Sequence, residues 1–177
     1  MITLRCFYPK MYVKNIFDID YEELKRKKIH CLIFDLDNTI ALIDQKKMDG
    51  KTKKLFDRLK KDFQIVIISN NSRNRVEEYA SFLNCDYVSF AMKPLPFGYL
   101  KIKRKHHLQK QEMAMIGDQL VTDIFVGNRM TAYTVFVDPL GKKDLKITTL
   151  NRYIENKIFH YYEKKKVMKR GSYYVKK

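Results

Sequence analysis

Two carboxylates, Asp35 and Asp37, stand one leucine apart at the end of the apolar run Cys31-Leu-Ile-Phe. A run of that length fits a strand buried on both faces, where an acid is too costly unless it sits at the strand's end and does something there. At the carboxyl end of a strand in an open α/β sheet, it faces the crevice in which such sheets bind ligands. A carboxylate can attack phosphorus, and a second acid two residues on can protonate the leaving alkoxide and then take a proton from water. The pair therefore suits phosphoryl transfer. Two acids beside a phosphate dianion repel, so the site needs cations, and magnesium is the natural one, a hard ion that takes oxygen ligands and shares the phosphate.

The surrounding pattern positions such a pair. Asp20 caps a helix over Tyr21 to Lys28, and a strand follows from about His30 to Leu36. After a loop to Gly50, an amphipathic helix on Leu55, Phe56 and Leu59 leads to a second apolar strand, Ile65 to Ser69, and a helix from Arg73 to Leu83. Tyr87 to Phe90 reads as a third strand, Pro96 and Gly98 open a helix running through Tyr99, Ile102 and Leu108, Met113 to Ile116 reads as a fourth strand, Leu120 to Asn128 as a helix and Ala132 to Val137 as a fifth strand. Strands alternating with helices at this spacing predict right-handed βαβ units around a mainly parallel five-stranded sheet, an α/β Rossmann-like three-layer sandwich.

Four features fall at the ends of successive predicted strands: Asp35-x-Asp37-x-Thr39, Ser69, Lys93-Pro94, and Gly117-Asp118-Gln-Leu-Val-Thr-Asp123. A single Lys-Pro or a lone acid beside a glycine is usually turn chemistry. The ordered set resembles the four motifs of the haloacid dehalogenase (HAD) superfamily over about Ile29 to Pro139. The flanks, Pro9-x-x-Tyr12-Val13 through Tyr21-x-x-Leu24 and the basic C-terminal segment, extend the likeness over nearly the whole chain to the YqeG-like subclass IIIA phosphatases. That family has phosphatidylglycerophosphate phosphatases among its mitochondrial and plastid relatives.

The resemblance implies roles. Asp35 is the nucleophile that forms an aspartyl-phosphate, and Asp37 is the general acid and base. Ser69, Asn70 and Lys93 hold the phosphoryl oxygens, with Lys93 beside Asp35. Magnesium is held by Asp35, Asp118 and the backbone carbonyl of Asp37, with Asp123 supporting it directly or through water. Thr39 braces the loop. His106 and His107 read as part of a solvated basic helix face rather than a metal site, His30 and His160 have no nameable partner, and Asp18 and Asp20 read as capping residues rather than a second metal site.

Family members often carry a cap domain between the first and second motifs or between the second and third. Here Thr39 to Ser69 and Ser69 to Lys93 leave room for one helix each, so no large cap is expected, and an open site suits a phosphate carried on something bulky. The chain is 177 residues long and carries a net charge of +16. Lys142 to Lys177 holds twelve Lys and Arg against three acids, and more than half the net charge lies there. We read residues 1–29 as a segment packing on the core, 30–141 as the catalytic core and 142–177 as a basic amphipathic helix and loose tail, all in one globular domain. Leu150, Ile154, Ile158 and Tyr161 make that helix's apolar stripe, fit either to pack on the sheet or to lie on an anionic membrane surface.

The substrate that the resemblance implies is phosphatidylglycerophosphate at a membrane surface. The alternatives are a basic RNA- or ribosome-associated protein and a phosphatase for a protein, nucleotide or sugar phosphate, with nucleic acid the less favoured partner. Cys6, Cys31 and Cys85 are widely spaced, which predicts neither a disulfide nor a zinc site. No secretory signal is read at Met1 to Val13, and no apolar run is long enough to span a bilayer. A cytoplasmic location is expected, with peripheral association at the inner face of the membrane left open.

Overall fold

The computed structural model describes residues 4–45, 50–141 and 146–175, with side chains from position 150 onward in the last of these. Strands form at β1 (Met11–Val13), β2 (Cys31–Asp35), β3 (Gln64–Ile68), β4 (Asp86–Val88), β5 (Met113–Gly117), β6 (Tyr133–Val137) and β7 (Tyr174–Val175). The helices are α1 (Tyr21–Arg26), α2 (Gly50–Leu59), α3 (Arg73–Leu83), α4 (Phe97–Lys105), α5 (Phe125–Arg129) and α6 (Lys146–Lys164). One sheet in the order β4-β3-β2-β5-β6-β1-β7 carries them, parallel throughout except for β7.

The α/β Rossmann-like class stands, and the five-stranded sheet is corrected to seven strands. Both additions are short, and neither pairs with a sequence neighbour. Met11–Val13 lies beside β6, more than a hundred residues away, and Tyr174–Val175, expected to be a loose tail, runs antiparallel to β1. Side chains make the tail hold. The hydroxyls of Tyr12 and Tyr173 donate to the two oxygens of Asp138 at 2.5 and 2.7 Å, and the Tyr174 ring stacks on Tyr8 at 5.5 Å. Other boundaries shift by a few residues: β4 ends at Val88, α4 stops at Lys105, and the helix expected over Leu120 to Asn128 divides into a π-helical turn, Leu120–Ile124, followed by α5.

Alternation along the strands builds the layers. Leu32 and Phe34 of β2 face α1, α2 and α3, packing with Leu24, Phe56 and Val76, while Cys31 and Ile33 face α4 and α5 with Tyr99, Ile102 and Val126. Strands covered on both faces read as unbroken apolar runs, which is why β2, β3, β5 and β6 were legible. Asp20 accepts the Glu23 amide at 2.8 Å as the cap of α1. The three cysteines are unpaired, and among the described residues no helix is long and apolar enough to cross a membrane.

A third cluster joins the C-terminal segment to the core: Tyr12, Leu120, Ile124 and Phe136 pack with Ile158, Phe159, Tyr162 and Met168. The expected stripe is therefore corrected. Of its four members Ile158 is buried, whereas Leu150, Ile154 and Tyr161 are exposed, Leu150 at 64%. The helix is rotated so that Glu155 and Phe159 point inward, because Glu155 meets polar partners beneath the helix that no apolar residue could satisfy. Phe159→Ala should therefore cost about 3 kcal/mol in urea unfolding, and Leu150→Ala less than about 0.5 kcal/mol. Equal costs would contradict this rotation.

Candidate active site

Asp35 is the last residue of β2, and Ile68, its partner across the ladder, precedes Ser69. Asp118 follows β5, the neighbour on the other side, so three parallel strand ends bring their polar residues to one crevice. Oxygens of Asp35, Asp118 and Asp123 lie within 4.8 Å of one another, and all three residues are buried. Gly117 makes that spacing possible: a Cβ there would stand 2.4 Å from the Asp123 carboxylate. The π-helical turn then brings Asp123 back over its own start, where its Oδ2 accepts the Gln119 amide at 3.2 Å.

Buried carboxylates must be compensated. Lys93 Nζ donates to Asp35 Oδ1 and, at 2.7 Å, to Asp123 Oδ1. The Thr39 hydroxyl lies 3.2 Å from an oxygen of Asp118 and 3.4 Å from one of Asp35, so it braces two carboxylates as well as its loop. Burial pushes the Asp35 carboxyl well above its usual range, opposed by Lys93 and reinforced by Asp123 and Asp118. Burial also pushes Asp118 up to about 7, opposed by Arg152. For Lys93, burial alone would lower the pKa, but the facing Asp123 and Asp35 more than offset it and keep the ammonium charged. All the facing donors are carboxylate oxygens, the set a hard divalent cation takes.

Asp37 sits apart from the cluster. The turn after β2 is closed by Ile40 and Ala41 amides donating to the Leu36 carbonyl, with Asn38 in the left-handed region that asparagine tolerates. It carries the Asp37 carboxylate to Arg75 at 2.8 Å and to the Asn71 amide at 3.1 Å. Ser69 is buried beside Asp35's ladder, its hydroxyl accepting the Asn71 amide at 3.1 Å. Asn70 clasps the Lys93 backbone from both sides, accepting its N–H at 2.7 Å and donating to its carbonyl at 3.1 Å, and so positions the lysine.

Three participants escape sequence reasoning. Arg75 pairs with Asp37 and donates to the carbonyls of Leu42 and Gln45, tying down the loop after β2. Arg152 of α6 reaches Asp118 twice, at its carboxylate and, at 2.7 Å, at its carbonyl. Glu155, buried one turn on, accepts the Leu120 amide at 2.8 Å and pairs with Arg152 and Arg170. The local signal of Arg152 and Glu155 is an i, i+3 Arg-Glu spacing on a helix full of charge, which reads as a solvated face.

Residues 5–130 match the family model for haloacid dehalogenase-like hydrolases. The chain belongs to that family. It is 35% identical to the probable phosphatase YqeG of Bacillus subtilis over 86% of this chain and 89% of that protein. It is 27% identical to the chloroplastic/mitochondrial phosphatidylglycerophosphate phosphatase 1 of Arabidopsis thaliana, over 77% of this chain and 42% of that one. In fold it is similar to a predicted HAD-like family hydrolase from Porphyromonas gingivalis, with a TM-score of 0.52 and 13% identity over 72% of this chain and 98% of that one. The motif residues and these relatives identify a phosphatase of this family with a buried acidic cluster that could hold a metal.

Arg152→Ala strips Asp118 and Glu155 of a shared partner in a buried setting, so stability should fall by about 3 kcal/mol in chemical denaturation. Arg152→Lys should recover only part of it, since an ammonium lacks the fork that spans these acceptors. Unchanged stability in the alanine variant would show that the contact contributes nothing.

Proposed function

We propose that this chain is a magnesium-dependent phosphomonoesterase that removes the terminal phosphate of phosphatidylglycerophosphate at a membrane surface. The observation that carries the chemistry is the convergence of Asp35, Lys93, Asp118 and Asp123 at the carboxyl ends of adjacent strands. The phosphatidylglycerophosphate phosphatase among the relatives supports the substrate, as does the open crevice. Among the described residues only α2 and β3 lie between Thr39 and Ser69, and only α3 and β4 between Ser69 and Lys93.

Each residue has a step. An Asp35 oxygen attacks phosphorus in line with the ester bond, forming an aspartyl-phosphate as the alkoxide leaves with a proton from Asp37. Water then attacks that phosphorus, Asp37 takes its proton, and phosphate departs, regenerating the Asp35 carboxylate. Arg75 and Asn71 fix the direction of the Asp37 carboxylate. Lys93, anchored by Asn70, and Ser69 meet the phosphoryl oxygens. Asp35, Asp118 and the Asp37 carbonyl would hold magnesium with Asp123 in support; bound there, the ion neutralises charge gathering on the phosphoryl oxygens.

Asp35→Asn should abolish phosphate release while circular dichroism stays unchanged, because the nucleophile is lost but the shape is kept. A phosphate-release panel with and without magnesium tests the substrate. Phosphatidylglycerophosphate should exceed nucleotides, sugar phosphates and phosphopeptides, and preference for any of these would overturn the lipid assignment.

Metal binding has its own signature. Asp118 titrates near 7 when folded against an ordinary 3.8, so the metal-free native state binds this proton more tightly than the unfolded chain does. Its stabilising contribution is complete in acid below about 4 and is lost as the pH rises through about 7. A protonated carboxyl is no ligand, so magnesium should raise the melting temperature more at pH 8 than at pH 5.5. The reverse order in differential scanning calorimetry would rule Asp118 out as a ligand.

A further inference from the structure

Among the described residues, six of the exposed large apolar side chains share one edge. Because β2, β4 and β6 run parallel, the loops leaving them share the sheet edge on which the carboxylates sit. Those loops expose Leu42 after β2, Leu140 after β6, and Phe90, Met92, Leu95 and Phe97 after β4. The last four fall within eight residues and are 63%, 56%, 50% and 57% accessible. Clustered apolar exposure of this kind marks an interaction surface.

The loop that carries them is held firmly. Phe90 and Ala91 amides donate to the carbonyls of Asn71 and Ser69, the Lys93 backbone is clasped by Asn70, and the Leu95 amide donates to the Met92 carbonyl at 2.8 Å. Phe90 and Met92 adopt φ of +47° and +54°, a left-handed conformation unfavourable for side chains of their size. Ala91 between them is buried. The backbone thus bears strain while large apolar groups stand in solvent, and the same loop delivers Lys93 to Asp35.

Charge indicates what the edge meets. From Tyr87 to Gln111 there is no acid, against Lys93, Lys101, Lys103, Arg104, Lys105 and Lys110. Lys14, directly after β1, and Lys51, in the first turn of α2, are exposed, and the whole chain carries +16. Apolar tips framed by lysines suit the interface of an anionic bilayer, where rings enter the acyl boundary and ammonium groups stay among the phosphates.

We infer that the Phe90–Phe97 loop, with Leu42 and Leu140, seats this chain on an anionic lipid bilayer and turns the crevice toward the headgroups. The orientation rests on the lipid-phosphate reading above. Leu150, Tyr153 and Ile154 are exposed on a different element, α6, whose Arg152 contacts Asp118.

The chain contains no tryptophan, so one introduced residue reports on its own surroundings. Phe90→Trp and Leu95→Trp, each in the full chain, are mixed with phosphatidylcholine vesicles with and without phosphatidylglycerol, with Ile154→Trp as the comparison. Expected are a blue shift of the loop reporters on the anionic vesicles and quenching by brominated acyl chains. Phe90→Ser combined with Phe97→Ser should lower the vesicle partition coefficient by about tenfold or more. Unshifted loop emission would overturn the inference, whether Ile154→Trp alone responds or the loop responds only to raised protein concentration or to RNA. Fluorescence needs no turnover, so insertion without hydrolysis of phosphatidylglycerophosphate would sink the substrate reading alone. Hydrolysis of that lipid in detergent micelles without insertion into vesicles would sink the docking surface alone.

Discussion

Three carboxylates buried within 4.8 Å of one another are the constraint that the rest of this molecule serves. Left alone they would repel, take up protons and push the strand ends apart. The chain answers with cations from separate places: Lys93 from the loop after β4 and Arg152 from α6. Each is in turn held by something else, Lys93 by Asn70 and Arg152 by Glu155. The charge balance of the crevice is therefore also a set of tertiary tethers, and loosening any one of them disturbs both chemistry and fold.

The C-terminal helix shows the consequence most clearly. A helix oriented by hydrophobicity alone would bury Leu150 and Ile154. Here Arg152 and Glu155 are drawn toward Asp118 and the Leu120 amide, and the apolar contacts follow that rotation through Phe159 and Tyr162. The polar contacts are directional, whereas apolar burial is satisfied by several faces of a helix that carries aromatic residues all round. The segment beyond the helix returns to pair with β1, so the C-terminal part of the chain closes the sheet edge that the N-terminal part opens.

Among the described residues one helix fills each stretch where a cap domain is often inserted, and on the proposed function the rim of the crevice selects what enters. One hydrogen-bonded loop carries both exposed aromatic residues, Phe90 and Phe97, and the lysine that reaches Asp35. On the inferred docking, recognition of a surface and positioning of a charge are coupled through a few backbone hydrogen bonds.

Much of this was legible from residues alone. Doubly covered parallel strands read as apolar runs, and the acids, serine and lysine that interrupt such runs at their ends mark the crevice because nothing else justifies their cost there. The chain order of β2, β3, β5 and β6 follows from that local logic, and the grouping of Asp35, Ser69, Lys93, Asp118 and Asp123 in one crevice from the resemblance of their ordered motifs to the HAD pattern. Tertiary structure alone decided the rest: that Met11–Val13 and Tyr174–Val175 are strands, that Asn70 clasps Lys93, that Arg75 meets Asp37, and that Arg152 reaches Asp118 from 34 residues away. These contacts join segments whose own patterns are indifferent to them. Two or three residues of strand propensity, or one arginine on a basic helix, acquire meaning only when a distant strand edge or an uncompensated carboxylate is brought alongside.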